Sequence, residues 1–324
     1  MGALVTGATG CLGAALVDLL LAQGVEVTAQ GRDPVAGAAL ERKGARFLPL
    51  DLRDPQPLLP HLHGVRTVYH CAALSTAWGR AADFQAINVT ATQHLLGAVR
   101  LAGVGRFVFA SSPSIYADGT DRLDLPEDAP LPARFATDYA RTKFQAECAV
   151  LDADAPGFRT VALRPRAIYG KGDRALMPRL EQAMRRGTLP LIGGGDSLID
   201  VTHVSDAARA MHLAAQAADG AGGRAFNITS GQAYRFRDLA RMAARVLGLD
   251  PRERRLPYGL AMALASGLEG FHRAFRPQAE PVLTRQAVAS LGRSLTLDIT
   301  AARQVLGYAP RVSLEQGVQD YARA

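Results

Sequence analysis

The chain has 324 residues, of which 48% are hydrophobic and 21% are charged, as expected for a globular enzyme with one large domain and a smaller lobe. Its formal net charge is +7, but the arginines are scattered and form no run with interleaved aromatic residues, which argues against a nucleic-acid partner. Three widely spaced cysteines without a CxxC pair indicate a reducing compartment, and no His or Cys cluster has metal-ligand spacing.

The N-terminus enters a strand-like run directly and continues into a glycine turn, which is not the pattern of a signal peptide. The least charged later stretch, residues 256–268, has about 13 residues, whereas a membrane-spanning helix needs ~20. We therefore expect a cytoplasmic protein with no integral membrane segment.

Strand-like and helix-like patterns alternate through the first half of the chain. Strands are predicted at residues 3–6, 25–30, 46–50, 67–71, 106–110 and 160–163. Helices are predicted at residues 14–22, 84–102 and 136–151. This alternation is typical of βαβ units, so we predict an α/β fold with a Rossmann-type doubly wound parallel sheet.

After Pro165 the pattern loosens. Helical segments are predicted at residues 176–186, 207–218 and 236–247, between glycine-rich turns, and they indicate a smaller mixed C-terminal substrate lobe. The predicted division assigns residues 1–165 and about 195–228 to a dinucleotide-binding Rossmann domain. It assigns about 166–194 and 229–324 to the substrate-binding lobe.

The sequence GATGCLG, residues 7–13, lies between the first predicted strand and helix. Without β-carbons, the glycine backbone turns sharply and approaches a pyrophosphate, while the helix N-terminus supplies N–H donors. Its place in a βαβ series makes the pattern indicative of a dinucleotide site rather than a bare tight turn. The residues expected to contact the cofactor here are Gly7, Thr9, Gly10, Cys11, Leu12 and Gly13.

The end of the second predicted strand bears on the choice between NAD and NADP. An NAD-preferring site usually places a carboxylate there, on the ribose 2′-hydroxyl, but this chain has Gly31 followed by Arg32. Because a guanidinium suits a 2′-phosphate, NADP is favoured over NAD. Two alternatives stay open: Asp33 turns in as the ribose partner, or Arg32 only stacks on the adenine.

Tyr139 and Lys143 are four residues apart in a predicted helix and therefore share a face. A tyrosine, with its usual pKa of ~10, becomes an effective acid or base when a neighbouring ammonium lowers that pKa. The preceding strand, residues 106–110, ends in the run SSPS at the carboxyl edge of the sheet, where ligands bind. The serine hydroxyl and the tyrosine phenol would converge on one carbonyl oxygen.

Together, GATGCLG, SSPSIY (111–116), YARTK (139–143) and RPRAIYGKG (164–172) resemble the extended short-chain dehydrogenase/reductases, within the NAD-dependent epimerase/dehydratase superfamily. The resemblance extends over essentially the whole chain. It implies that Tyr139 transfers a proton, that Lys143 lowers the tyrosine pKa and holds the nicotinamide ribose, and that Ser112 binds the substrate oxygen. Ser114 is an implied auxiliary substrate contact. Ser111 would take the role of Ser112 if the motif were aligned one residue earlier.

The same resemblance implies further positions and an assembly. Asn88 falls where the family keeps a structural asparagine. The implied positions near the cofactor are Asp51, Leu52, Ala72, Ala73, Asn88, Tyr139, Lys143 and Pro165. A homodimer through the helices at 84–102 and 136–151 is also implied.

Two positions bear on the reaction. Epimerases of this family typically have an asparagine where this chain has Ala167 and an arginine where it has Ile199, and neither aliphatic side chain can bind a diphosphate. Arg166 or Lys171 would have to compensate from elsewhere. Dehydratases add an acidic residue next to the serine, which this chain does not have at that place, so plain hydride transfer is favoured.

Residues 161–172 look most like the 3β-hydroxysteroid dehydrogenase branch, and Ala77-Trp78-Gly79 with the SPS turn is similar to bacterial 2-alkyl-3-oxoalkanoate reductases. The implied function is an NAD(P)-dependent oxidoreductase that interconverts a 3-hydroxyl and a 3-keto group on a hydrophobic substrate. Its pocket should be apolar and aromatic. The candidates, each of which also fits an ordinary core position, are Trp78, Tyr169, Met177, Leu260, Met262 and Phe271.

Two other functions stay open. One is an NDP-sugar epimerase or dehydratase, and the other is a non-catalytic NAD(P)-sensing protein that uses only the glycine turn. The intact set of Ser112, Tyr139 and Lys143 argues against the sensor.

Overall fold

The computed structural model describes residues 2–54 and 56–323. Its strands, in chain order, are β1 (Gly2–Thr6), β2 (Glu26–Gly31), β3 (Arg46–Pro49), β4 (Val65–His70), β5 (Arg106–Ala110), β6 (Arg122–Leu125), β7 (Arg159–Pro165), β8 (Ile168–Tyr169), β9 (Thr188–Ile192), β10 (Leu198–Asp200), β11 (Thr202–His203), β12 (Arg224–Ile228), β13 (Ala233–Arg235), β14 (Arg252–Leu256) and β15 (Leu295–Leu297).

The α-helices, in chain order, are α1 (Cys11–Ala22), α2 (Pro34–Glu41), α3 (Ala81–Phe84), α4 (Ala91–Leu101), α5 (Asp138–Asp152), α6 (Leu176–Arg185), α7 (Val204–Gln216), α8 (Ala218–Ala221), α9 (Phe236–Val246), α10 (Tyr258–Phe275), α11 (Arg285–Gly292), α12 (Thr300–Leu306) and α13 (Leu314–Ala322). Short 3₁₀ segments lie at Gln56–His61, Pro113–Tyr116 and Gly193–Gly195, and a π-helical segment lies at Gln85–Thr90.

Seven parallel strands form the large sheet, in the order β12-β7-β5-β4-β1-β2-β3. The chain runs outwards from β1 in both directions, so the strand order reverses between β1 and β4. The carboxyl ends of the strands at this switch point are where such sheets bind ligands. The predicted Rossmann-type doubly wound sheet is confirmed.

Helices cover both faces of this sheet, which explains the nearly continuous apolar character of its strands. On one face, Leu16 of α1 and Met211 of α7 pack in one buried cluster with Val108 of β5. On the other face, Leu95 of α4 and Val150 of α5 pack in a second cluster. The carboxyl ends of the strands therefore emerge from a rigid support.

A smaller mixed sheet has the order β13-β10-β15-β6, and only the β10–β13 pairing within it is antiparallel. It is the predicted mixed element beside the large sheet. The predicted division assigns the residues of β6, β10 and β12 to the Rossmann domain. Of these strands, β6 and β10 belong to the mixed sheet, and β12 lies at the edge of the large sheet. The residue ranges of the two predicted domains stay a prediction.

The predicted helix at 84–102 differs from the observed structure. Two α-helices, α3 and α4, are joined there by the π-helical segment of residues 85–90. Such wider turns occur often at functional sites. Here the segment contains the buried Asn88, one of the predicted positions near the cofactor.

Among the helices that the structure describes, none combines the length and the apolar character needed to cross a bilayer.

Candidate active site

The glycine turn after β1 packs directly against the chain that follows β4. Gly7 has a φ of +64°, and a β-carbon there would lie 2.7 Å from the Cα of Ala72. A β-carbon at Gly13 would lie 2.3 Å from the Gly7 carbonyl oxygen. Both positions therefore require glycine, because backbone atoms occupy the space of a side chain.

The N-terminus of α1 has no side-chain cap. Its cap residue is Gly10, and its first turn has no acidic residue. The backbone N–H groups of Cys11, Leu12 and Gly13 begin the helix there, and a helix N-terminus of this kind attracts anions. Thus the turn and the helix fit the pyrophosphate of a dinucleotide. Burial raises the pKa of the Cys11 thiol to about 12, so the thiol is neutral.

The end of β2 has a glycine, Gly31, packed against the Thr9 side chain. A β-carbon at Gly31 would lie 2.8 Å from Cγ2 of Thr9, so a larger residue would displace that threonine. Arg32 follows with 64% of its side chain exposed, and its guanidinium lies 3.9 Å from the Asp51 carboxylate. Arg32 is the first lysine or arginine that follows the glycine turn in the sequence.

Asp33, the alternative ribose partner, has another role in the structure. Its Oδ1 accepts hydrogen bonds from the backbone N–H groups of Val35 and Ala36, at 3.0 and 3.1 Å. These bonds cap the N-terminus of α2, which is a strong preference of aspartate. Turning Asp33 towards a ribose would uncap that helix.

The other predicted cofactor positions lie around the same edge. The Asp51 carboxylate accepts from the Arg53 guanidinium at 2.6 Å, and this hydrogen bond holds the pKa of Asp51 below its usual range. Leu52 is buried in the core, Ala72 and Ala73 follow β4, and Pro165 ends β7.

Asn88 supports the site from inside the fold. Its Oδ1 accepts from the Leu74 backbone N–H at 2.7 Å, and its Nδ2 donates to the Thr142 hydroxyl at 3.1 Å. The asparagine thus ties the loop after β4 to α5, the helix of Tyr139. This contact agrees with the structural role that the family resemblance implies.

Ser112 and Tyr139 come from neighbouring elements at the carboxyl edge of the sheet. Ser112 follows β5 and caps the 3₁₀ segment at 113–116, with its hydroxyl 3.0 Å from that of Ser114. Helix α5 begins at residue 138 because the Thr137 hydroxyl accepts from the Ala140 N–H at 3.1 Å. Tyr139 is therefore held in the first turn of α5. Ser111, the alternative to Ser112, has a buried hydroxyl without a hydrogen-bond partner among the described residues.

The environment keeps the Tyr139 phenol protonated. Burial raises its pKa above the usual value, and a hydrogen bond with the Ser112 side chain acts in the opposite direction. Because the pKa is raised overall, the phenol is neutral at neutral pH. A neutral phenol is a proton donor, as the reduction of a ketone requires.

Lys143 lies one turn after Tyr139 in α5 and is buried, with only 2% of its surface exposed. Its Nζ donates to the Ala110 carbonyl oxygen at 2.5 Å and lies 4.0 Å from the centre of the Phe109 ring. Burial lowers the pKa of Lys143 to about 7, while the Glu147 carboxylate acts to raise it. The Lys143 ammonium group is thus engaged by the strand carbonyl, and its predicted effect on the Tyr139 pKa stays a prediction.

A cavity of about 400 Å³ opens beside Tyr139. Trp78, Phe84 and Phe135 contribute aromatic surface to it. The opposite side comes from the last third of the chain, with the polar residues Glu269, Arg273, Arg285 and Gln286. Sequence reasoning missed these four, because nothing local marks residues so far along the chain as neighbours of Tyr139.

Trp78 is the link between the two sides of the cavity. Its indole N–H donates to the Pro277 carbonyl oxygen at 3.0 Å, and the Arg273 guanidinium lies 5.6 Å from its ring centre. Of the predicted pocket residues, Trp78 alone lines this cavity. Tyr169 and Met177 are buried in a core cluster, Met262 packs against a smaller one, and Leu260 and Phe271 are surface residues.

Residues 3–229 match the NAD dependent epimerase/dehydratase family. A ketoreductase from Stigmatella aurantiaca, which acts on a 4-hydroxy-2-methyl-3-oxo-4-farnesyl-3,4-dihydroquinoline-1-oxide, is 36% identical over 100% of this chain and 96% of its own length. A 2-alkyl-3-oxoalkanoate reductase from Stenotrophomonas maltophilia is 35% identical over 98% of each chain. The decarboxylating sterol-4-alpha-carboxylate 3-dehydrogenase of Mus musculus is 32% identical, over 97% of this chain and 88% of the relative.

Among solved structures, that of MoeE5 in complex with UDP-glucose and NAD is similar, with a TM-score of 0.78 and 31% identity over 100% of this chain and 98% of that one. The predicted family is therefore confirmed. The chain belongs to the NAD dependent epimerase/dehydratase family of extended short-chain dehydrogenase/reductases, on its 3β-hydroxysteroid dehydrogenase-like branch.

Proposed function

We propose that the protein is an NAD(P)-dependent ketoreductase that converts a 3-keto group of a hydrophobic substrate into a 3-hydroxyl. The observation that carries the proposal is the position of Ser112 and the protonated Tyr139 on neighbouring elements at the carboxyl edge of the sheet, where Tyr139 lines a cavity. A carbonyl oxygen at this place would accept hydrogen bonds from both hydroxyl groups. Their combined donation polarises the carbonyl bond.

The glycine turn, the N-terminus of α1 and Arg32 would hold the nicotinamide dinucleotide, which supplies a hydride to the carbonyl carbon when bound. Tyr139 gives its proton to the carbonyl oxygen, so one hydride and one proton produce the alcohol. Ser112 holds the oxygen in line with the phenol. Lys143, one turn along α5, would bind the nicotinamide ribose and favour the phenolate that remains after proton transfer.

The cavity supports an apolar substrate with a polar end. Trp78, Phe84 and Phe135 form apolar surface near Tyr139. The far side has two arginines, Arg273 and Arg285, around one carboxylate, Glu269, which leaves one positive charge in excess. A long-chain 2-alkyl-3-oxo acid, the substrate type in the name of one relative, has this combination of an alkyl chain and a carboxylate. A 3-ketosteroid is the second substrate type within the same proposal.

An NDP-sugar epimerase is the second candidate function, because the similar MoeE5 structure contains UDP-glucose. Two positions speak against it. Ala167 has no side chain that can bind a phosphate, and Ile199 is 4% exposed in the core around the mixed sheet. Arg166 is half-buried, and desolvation lowers the pKa of its guanidinium, which makes it a poor substitute for a solvent-facing diphosphate ligand.

A panel of three compounds separates these functions. We expect NADPH oxidation with a 2-alkyl-3-oxo acid, slower oxidation with a 3-ketosteroid, and none above background with UDP-glucose. The readout is the loss of NADPH absorbance, with product identification by mass spectrometry. Conversion of UDP-glucose into UDP-galactose, without net consumption of cofactor, would contradict the ketoreductase proposal.

Arg32 is proposed to select NADP. Replacing it with alanine removes a charge-assisted hydrogen bond to the 2′-phosphate, so we expect kcat/KM for NADPH to fall about 10–100-fold while that for NADH changes little. Arg53→Ala is the matched control, since Arg53 is another exposed arginine paired with Asp51. Equal losses with both cofactors would instead mean that Arg32 only stacks on the adenine.

We further propose a homodimer through α4 and α5 and a cytoplasmic location. The support for the dimer is the family resemblance alone. Sedimentation of the purified protein measures its mass directly, and a monomer at micromolar concentration would contradict the dimer.

A further inference from the structure

Helix α10 is apolar on the side that faces solvent. Four of its large apolar residues are exposed: Leu260 (52%), Leu264 (49%), Phe271 (49%) and Phe275 (74%). Its single acidic residue, Glu269, is 7% exposed and lies on the inner side. A surface helix of a globular protein normally has the opposite polarity.

The exposed residues form one continuous stripe. Leu260, Leu264, Phe271 and Phe275 are spaced by four, seven and four residues, which brings them onto a single helix face. Small residues fill the positions beside this stripe, and Arg273 is the only charged residue of α10 that is exposed. The stripe extends for about 22 Å, from Leu260 to Phe275, along a helix of 18 residues.

The inner side of α10 fixes the helix to the active-site cavity. The Glu269 carboxylate accepts from the Arg285 guanidinium at 2.9 Å and from its backbone N–H at 2.7 Å. Glu269, Arg273 and Pro277 all line the cavity beside Tyr139. Whatever covers the outer side of α10 therefore lies next to the cavity wall.

The chain segments that flank α10 in the sequence are rich in arginine. Residues 252–285 contain six arginines and three glutamates. Each glutamate is paired with an arginine: Glu253 with Arg241, Glu269 with Arg285 and Glu280 with Arg179. In contrast, no salt bridge joins the exposed Arg252, Arg254 or Arg276 to a carboxylate among the residues that the structure describes.

We propose that α10 lies on the surface of an anionic lipid bilayer, with Leu260, Leu264, Phe271 and Phe275 inserted and the flanking arginines at the lipid headgroups. An apolar stripe with cationic flanks is the combination that places a helix in the plane of the interface. A second copy of the chain would cover the apolar stripe equally well, but it would bring the same positive charge to the contact.

Docking beside the cavity would serve substrate uptake from the membrane, and this role rests on the proposed function. A long-chain ketone dissolves in the bilayer far better than in water. A protein docked through α10 would take such a substrate at the membrane surface, close to Trp78 and Tyr139.

Vesicle sedimentation tests the docking without any substrate. The wild-type protein should sediment with vesicles of about 70% phosphatidylcholine and 30% phosphatidylglycerol, and much less with phosphatidylcholine alone. The variant Leu264→Glu/Phe275→Glu should bind the anionic vesicles at least about tenfold more weakly, because two inserted apolar groups are lost. The control Val35→Glu/Leu123→Glu adds the same charge at two exposed apolar residues elsewhere and should bind like the wild type.

Three results would overturn the docking: no binding of the wild type to anionic vesicles, equal loss of binding in both double variants, or full binding by Leu264→Glu/Phe275→Glu. A wild-type dimer that this variant converts into a monomer, without vesicle binding, would assign the stripe to a second copy. Reduction of a short water-soluble ketone, measured in parallel, reports the proposed function separately. A protein that binds vesicles but reduces no ketone would refute only the function.

Discussion

Replacing Tyr139 with phenylalanine is expected to lower kcat for ketone reduction by about 10²–10⁴-fold, the range of effects of general acid catalysis. The variant loses the phenolic proton and keeps the ring that lines the cavity. Binding of NADPH, measured by fluorescence titration, should change little, because the substitution removes no charge near the glycine turn. The loss should appear in kcat at saturating substrate.

Tyr234→Phe is the matched control for this variant. It removes a tyrosine hydroxyl that bonds to the Gln232 side chain at 3.1 Å, away from the cavity residues. Its kcat should equal that of the wild type. If Tyr139→Phe kept more than half of the wild-type kcat, the proton would have to come from another group, and the assignment of Ser112 and Tyr139 as the reacting pair would be lost.

The large sheet and one side of the site could be predicted from the sequence because local patterns determine them. Strands buried on both faces give short apolar runs, and the glycines at 7, 10 and 13 mark where a backbone must turn tightly. Ser112 follows β5 and Tyr139 begins the next long helix, so the rule that ligands bind at the carboxyl edge was enough to bring them together.

The other side of the cavity could not be predicted in this way. Glu269, Arg273 and Gln286 reach Tyr139 through packing that no local pattern encodes. The apolar run at 256–268 indicated a helix but not which face of it would be solvent-exposed. Leu260 and Phe271, which fit an apolar pocket by composition, are on that outer face instead.

The sequence also did not reveal the local hydrogen bonds of two charged candidate residues. Asp33 was a candidate for the ribose because of its place after β2, yet it caps α2, since two free N–H groups are within reach of its carboxylate. Lys143 is on the same helix as Tyr139, yet its ammonium group donates to the Ala110 carbonyl oxygen. Spacing along a helix fixes the face of a side chain but not the partner that it selects.

Replacing Glu147 with glutamine should destabilise the fold by about 3–5 kcal/mol, because it leaves a buried guanidinium without its counter-ion. The Glu147 carboxylate binds the Arg164 guanidinium through two bonds, at 2.5 and 2.9 Å. The two side chains are only 2% and 7% exposed. Arg164 also donates to the Tyr116 hydroxyl and to the Glu127 carbonyl oxygen, so this ion pair joins α5 to the chain beyond Ser112.

Urea unfolding of Glu147→Gln and of Glu253→Gln tests whether the loss of stability comes from the burial of the ion pair or from the loss of any ion pair. Glu253 makes the same two-bond contact with Arg241, at 2.6 and 2.9 Å, but on the surface, so its variant should shift the unfolding midpoint only slightly. The double variant Glu147→Gln/Arg164→Met should regain part of the lost stability, since it removes both buried charges. Equal midpoints for the two single variants would mean that the buried pair contributes no more than a surface pair.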